Sequence, residues 1–453
     1  MEQTQSFTQG KIFSPLIRFA VPVLFALFLQ TMYGAVDLLI VGQFGGASAE
    51  VYVSAVSTGS QVMQTLTVII TGLAMGLTVF VAREIGAGMR AKAGKIIGSG
   101  ICLFTGMALV VSVLMVWTAP ALASMMQAPE EALSQTISYI VICSVGAVFI
   151  VAYNLVGSIF RGIGDSKMPL LTVAIACVFN IAGDLLLVAV FQLGASGAAI
   201  ATVAAQATSV LISLLIIRKR KLPFDFTVKD IRPNKTYIGQ ILKLGIPIAC
   251  QDFLVSISFL VIMAIVNSLG LTASAGVGVA EKLCGFLMLV PSAYMQSMSA
   301  FVAQNMGAGK PDRARKALLY GIASSLAVSI VMFYFTFFHG NLLAGVFAKD
   351  TRIILAAADY LKAYAIDCLL TSFLFCFIGY FNGCSRTTFV MLQGIMGAFG
   401  VRIPVSWFMS RQAEVTLFHI GLATPASSVV QIVLCGVYFI ILTRKQKRGE
   451  LYP

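Results

Sequence analysis

Two carboxylates sit where carboxylates are costly. Asp37 lies inside the apolar run PVLFALFLQTMYGAVDLLIVGQFGG (22–46), and Asp184 lies inside VFNIAGDLLLVAV (178–190). A helix of about 20 apolar residues crosses a hydrocarbon core of ~30 Å. An Asp near the middle of such a helix costs roughly 2.5–3.5 kcal/mol on insertion scales, so an acid kept there points to function. Helical spacing puts Tyr33 one turn before Asp37 and Asn180 one turn before Asp184, each on the same face as its acid. Burial disfavours the charged form of a carboxylate, more so when a second one is close. Such a group can take up and release a cation, which is the chemistry of an ion-coupled transporter. The bland alternative is that each Asp caps a broken helix or bonds a neighbouring hydroxyl.

The elements that carry these residues are set by composition. The chain has 453 residues, of which 58% are hydrophobic and 11% charged, against about 25% charged in a soluble protein. Lipid is therefore the main solvent. The net charge of +13 would suggest nucleic acid in a soluble protein, but here the basic residues fall at the ends of apolar runs and no nucleic-acid partner is expected. The nine Cys lie mostly in apolar segments without CxxC spacing and read as small packing residues. His339 and His419 stand far apart, with no ligand cluster beside either, so neither a metal centre nor an enzyme's catalytic constellation is expected. No cleavable signal peptide is expected, and GxxxxGK[ST] is absent, which leaves an ion gradient as the energy source.

Apolar runs of spanning length fall near 15–41, 51–82, 94–118, 134–160, 168–191, 195–217, 238–268, 276–303, 317–338, 352–381, 388–409 and 417–443. The fold class is thus all-α integral membrane, with twelve transmembrane helices. Of 31 Lys and Arg, 25 fall at the N-terminus or after even-numbered runs. By the positive-inside rule both termini are cytoplasmic. The basic stretch RKRKLPFDFTVKDIRPNK divides the chain into an N-lobe (1–217), a cytoplasmic link (218–237) and a C-lobe with a basic tail (238–453). The halves also align. At an offset of 225, Pro22 meets Pro247 and Gln206 meets Gln431; at 221, VAREIGAG (81–88) meets VAQNMGAG (302–309). Six helices per copy give parallel repeats with substrate between them. Asp37, Asn180 and Asp184 align with Ile262, Val401 and Val405, so the buried acids belong to one copy of a shared fold.

The 22–46 run, the paired GAG turns, FRGIGDSKMPL, FNIAGDLLLV and GASGAAIATVAAQ together resemble the multidrug and toxic compound extrusion (MATE) family across essentially the whole chain, and the DinF-type branch most. The resemblance implies two six-helix pseudo-symmetric lobes around a V-shaped cleft, exchanging cations for lipophilic, mostly cationic drugs. The branch's N-lobe pattern maps onto Tyr33, Asp37, Tyr139, Asn154, Asn180, Asp184 and Thr202. Pro22, fifteen residues before Asp37, matches a helix-1 proline at which bending has been proposed. The acids expected in the C-lobe of the NorM branch are replaced by Val255 and Thr371, and a further polar position on the fourth helix is Gly157.

With that resemblance, Asp37, Asp184, Asn180 and Thr202 form the expected coupling set. Their oxygens would suit a hard cation such as sodium as well as a proton, and the sequence leaves the two open. Tyr33, Tyr139 and Asn154 are expected to orient the acids or touch substrate, although such residues often serve helix packing. Glu281 and Arg402 are weaker C-lobe candidates, either as a coupling group or as partners of each other, with Asp252 and Asp367 behind them near helix ends. Small lipophilic substrates and membrane lipids are the expected partners, the chain is expected to act as a monomer in the inner membrane, and no cofactor beyond the coupling ion is expected. The rival readings are a flippase for lipid-linked saccharides, kept open by Lys282 and Arg402, and an integral-membrane enzyme.

Overall fold

A computed structural model describes residues 7–219, 224, 226–412 and 414–448. Arg220 and Lys221 of the basic link, and the end of the basic tail beyond Arg448, lie outside the described residues. Helices dominate: α1 (Phe13–Phe44), α2 (Ala49–Gly86), α3 (Arg90–Met125), α4 (Glu130–Val145), α5 (Ala147–Ile163), α6 (Lys167–Asp184) and α7 (Gly194–Lys219). The second half contains α8 (Lys235–Asn267), α9 (Leu271–Leu287), α10 (Leu289–Gly307), α11 (Pro311–Phe338), the short α12 (Gly340–Gly345), α13 (Thr351–Gly383), α14 (Thr387–Ile395), α15 (Ile403–Met409), α16 (Leu417–Gly421) and α17 (Ala423–Lys447). Among the described residues eleven spans are long and apolar enough to cross a membrane, or twelve when the α4–α5 pair, bent by 54°, is counted as one span. Two runs contain π-helical turns, Leu185–Val190 directly after Asp184 and Met396–Arg402 before α15.

The chain forms two compact units. One unit holds 21–249; the other holds the described residues 7–20 together with 250–448. Both boundaries fall inside helices, each within two residues of a proline, Pro22 in α1 and Pro247 in α8. Local packing explains both boundaries.

In the first unit, the start of α8 is locked onto α2 by small residues. A Cβ on Gly76 would lie 2.6 Å from the Gly245 nitrogen, and one on Gly72 would lie 2.6 Å from the Ala249 Cα. Gly72-xxx-Gly76 thus meets Gly245-xxx-Ala249, the small-residue spacing by which membrane helices approach backbone to backbone. The segment before α8 docks on the same unit: a Cβ on Gly98 of α3 would collide with the Asp230 carbonyl, Ser99 donates to the Arg232 carbonyl at 3.0 Å, and Phe224 is buried in the core.

In the second unit, the residues preceding α1 are tied down by one arginine. Arg313 of α11 donates from Nε to the Phe7 carbonyl at 2.8 Å and from its two terminal nitrogens to the carbonyls of Gly10 (2.6 Å), Gln9 (2.9 Å) and Lys11 (3.0 Å). Asn305 adds a bond to the Phe7 carbonyl at 3.2 Å, Lys310 reaches Thr8 at 2.8 Å, and the Phe7 ring is fully buried against Phe19 and Phe301. A planar, always charged fork suits several fixed carbonyls at once. Deeper in this unit, Gly379 and Gly383 let α13 lie against α10, where a Cβ would meet the Met295 and Ser299 carbonyls at 2.5 and 2.8 Å.

Two outcomes follow. Gly76→Val should lower the thermal midpoint, because overpacking a tight contact costs about 1–3 kcal/mol; an unchanged midpoint would show that α2 and α8 have room to part. Arg313→Gln removes the fork from four carbonyls, and hydrogen bonds to charged groups are each worth about 1.5–3 kcal/mol. Amide exchange over residues 7–12 should then accelerate while the α13 core stays protected.

Candidate functional site

Four helices of the first unit each contribute two residues spaced by one turn: Tyr33 and Asp37 from α1, Tyr139 and Cys143 from α4, Asn180 and Asp184 from α6, Thr202 and Gln206 from α7. The i, i+4 spacing stacks each pair on one helix face, and the four faces converge. Thr202 Oγ1 donates to Asp37 Oδ2 at 3.4 Å, and Asn180 Nδ2 donates to Thr202 Oγ1 at 3.3 Å. The Asp37 and Asp184 carboxyl groups lie against one another. Tyr33 reaches Gln206 and neighbours Asp37, while Tyr139 neighbours Cys143, Tyr33 and both acids.

Burial is near complete at the centre: Asp37 is 4% exposed, Asn180 1% and Asp184 0%. Thr202 and Tyr33 are half-buried. Five oxygens of the cluster have no hydrogen-bond partner, namely Asp37 Oδ1, Asn180 Oδ1, Gln206 Oε1 and both oxygens of Asp184. Among the described residues neither acid forms an ion pair. Two adjacent buried carboxylates without a basic neighbour cannot both stay charged and bare. Such a pair can share a proton, or its oxygens can hold a cation. An all-oxygen donor set with a hydroxyl and an amide carbonyl is chemically suited to a hard cation.

The surrounding packing makes room for the site. A Cβ on Gly59 of α2 would lie 2.5 Å from the Tyr139 ring, so glycine there lets the ring seat. Gly183 faces Ala201 with space for a Cβ at only 3.0 Å, which brings α6 and α7 close enough for Asn180 to reach Thr202. Asp184 is the last α-helical residue of α6 before its π turn; π turns recur at functional sites because they redirect side chains within a continuous helix.

Six of the seven N-half positions thus lie in one cluster. Asn154 does not join it by any hydrogen bond: its amide donates to the Ile150 carbonyl at 2.9 Å and its oxygen accepts from Thr71 at 3.4 Å. Pro22 sits within a continuous α1, away from the acids and beside the unit boundary. Sequence reasoning passed over Gln206 and Cys143. Gln206 carried a signal, a long amide inside an apolar run one turn after Thr202; Cys143 carried none.

In the second unit Arg402 is 6% exposed and donates to Ser258 at 3.0 Å, with its guanidinium 4.4 Å from the centre of the Phe259 ring. Glu281 is half-buried and forms no ion pair with it. Asp252 and Asp367 lie well inside α8 and α13, not near helix ends. Asp367 is 2% exposed, accepts from Ser428 at 2.6 Å and sits in the field of Arg402.

The structure superposes over almost its whole length on solved transporters. One is a multidrug resistance MATE family transporter of the MOP superfamily in an outward-facing conformation (TM-score 0.91, 19% identity, 99% of each chain). Another is a MOP superfamily transporter from Pyrococcus furiosus, described as having a binding pocket of reverse polarity (TM-score 0.91, 19% identity, 99% of each chain). Among curated proteins the chain is 27% identical over 390 residues to the Bacillus subtilis protein named "Probable multidrug resistance protein YpnP", covering 85% of each. It is 24% identical over 420 residues to the multidrug export protein MepA of Staphylococcus saprophyticus, covering 90% of each. The MatE family model matches residues 22–186 and 247–408, which together make up most of the chain and include the buried acids, and the chain therefore belongs to the MatE family of multi-pass membrane transporters.

Proposed function

We propose that the chain is an antiporter of the inner membrane that exports lipophilic, mostly cationic compounds in exchange for a proton or a sodium ion. The observation that carries this reading is the pair of facing, unpaired carboxylates, Asp37 and Asp184, with Asn180 and Thr202 completing an oxygen-only nest. The names of the MepA and YpnP relatives support the substrate class. Uptake of the ion from outside neutralises the acids and favours release of a bound cation; loss of the ion inward restores the negative site and resets the transporter. Rocking of the two six-helix lobes supplies alternating access, in a monomer with both termini cytoplasmic.

Tyr33, Tyr139 and Gln206 hold the acids in register. The hydroxyl of Thr202 donates to Asp37, and it does so from a neighbouring helix because an ionised carboxylate only accepts and its own helix backbone has no spare N–H to offer it. Lipid-linked saccharide flipping is the second reading, supported by buried Arg402, whose Nε lacks a partner and whose charge would suit a phosphate.

Three outcomes test the assignment in proteoliposomes loaded with a fluorescent lipophilic cation. Asp37→Asn, inserted and folded, should bring gradient-driven efflux down to the protein-free background; full efflux by this variant would overturn the mechanism. Thr202→Val should preserve maximal efflux but weaken ion binding roughly tenfold or more, the worth of a hydrogen bond to a charged group, seen as a shift in the half-saturating ion concentration. Wild-type protein that moves no dye under either imposed gradient, yet is protected from heat by a lipid-linked saccharide, would favour the flippase.

A further inference from the structure

The first unit contains a cavity of about 240 Å³, separate from the acid cluster. It lies between α3, α5 and α7, with Phe104, Val151 and Leu155 in its wall and Phe224 and Phe226 of the docked segment before α8 closing one end. Its lining is apolar except for Thr105. Thr105 and Leu214 are exposed, so the cavity has a mouth between α3 and α7 that opens sideways on a lipid-facing surface continued by Leu109, Val110, Leu211 and Leu215.

Protein interiors rarely keep voids of this size. Cavities of about 150 Å³ with aliphatic and aromatic walls stay dry and take up apolar ligands. Here the medium at the mouth is hydrocarbon, so a chain of methylenes can enter without desolvating anything polar. Charge marks the end nearest the docked segment. Arg218 and Lys219, both exposed, directly follow the lining residue Ile217, and exposed Lys95 lies just before lining residue Ile97. Among the described residues the acid in that neighbourhood is Asp230, which is engaged by the Thr227 amide and hydroxyl at 2.8 Å each and lies near Lys95; Asp225, between the two phenylalanines in the sequence, lies outside the described residues.

We propose that this cavity is a binding site for one acyl chain of an anionic phospholipid, whose headgroup is held by Arg218, Lys219 and Lys95. The bound chain packs against Phe224 and Phe226 and so braces the segment that precedes α8. This site does not depend on the antiport reading.

The test uses delipidated full-length protein in detergent with dioleoyl phosphatidylglycerol or dioleoyl phosphatidylcholine added back, read by native mass spectrometry and thermal midpoint. Wild type should retain phosphatidylglycerol in preference to phosphatidylcholine and rise in midpoint with it. Thr105→Trp, which plugs the mouth from the lipid side, should lose both responses. Arg218→Gln with Lys219→Gln should leave the delipidated midpoint unchanged and weaken phosphatidylglycerol binding about fivefold for each basic residue removed, leaving phosphatidylcholine binding as it is. Equal binding of the two lipids by wild type, or undiminished binding by Thr105→Trp, would overturn the proposal.

Discussion

Hydrocarbon offers no hydrogen bonds, and every polar group in a membrane helix must be satisfied by protein. Most side chains here solve this locally. Thr67, Thr136, Ser144 and Ser297 each donate to the carbonyl four residues earlier, at no cost in helix–helix geometry. An ionised carboxylate has no such option, because it only accepts and the helix interior uses all its own N–H groups. Asp37 and Asp184 can be satisfied only across helices, by Thr202, Asn180 or an incoming positive charge. The packing of α1, α4, α6 and α7 is arranged around that requirement, and the small residues Gly59, Gly183 and Ala201 are what let the helices approach closely enough to meet it.

The two halves show how one scaffold can be given different polar contacts. At an offset of 221, Glu84 and Lys92 correspond to Asn305 and Arg313. In the first half they close on each other in an ion pair of 3.0 Å. In the second half both side chains turn to backbone carbonyls and hold the residues before α1. The turn between them is the same in each copy: Gly88 and Gly309 take positive φ, and the amides of Met89 and Lys310 return to the carbonyls of Glu84 and Asn305 at 2.9 and 2.8 Å. A change of side chains on a conserved turn thus converts an internal tie into an anchor for a remote segment.

The acids follow the same logic. Asp367 and Ser428, bonded at 2.6 Å, correspond to Gly146 and Val203 of the first half, which meet in a tight apolar contact. Asp37 corresponds to Ile262, which is buried in the apolar core of the second unit. Each unit therefore has a buried carboxylate, but at positions the repeat does not relate. Among the described residues only the first unit brings two acids face to face.

The one-dimensional pattern settled much of this protein. Twelve apolar runs, the repeat and the two stranded acids are all legible because the solvent is hydrocarbon: a spanning helix must be apolar along its length, so each exception stands out. Spacing by one helical turn also determined that Tyr33 accompanies Asp37 and that Asn180 accompanies Asp184. Tertiary structure decided what spacing along one helix cannot carry. It brought the faces of α1, α4, α6 and α7 together, recruited Gln206 and Cys143, left Asn154 with Thr71, and sent Arg402 to Ser258 rather than Glu281. It also set the unit boundaries within α1 and α8, through contacts that join residues far apart in the chain: Arg313 with the carbonyls of residues 7–11, and Gly72 and Gly76 with Gly245 and Ala249. Backbone-to-backbone approach through glycine leaves no hydrophobic periodicity to read, and a guanidinium holding main-chain carbonyls depends on no particular side chain in its partner.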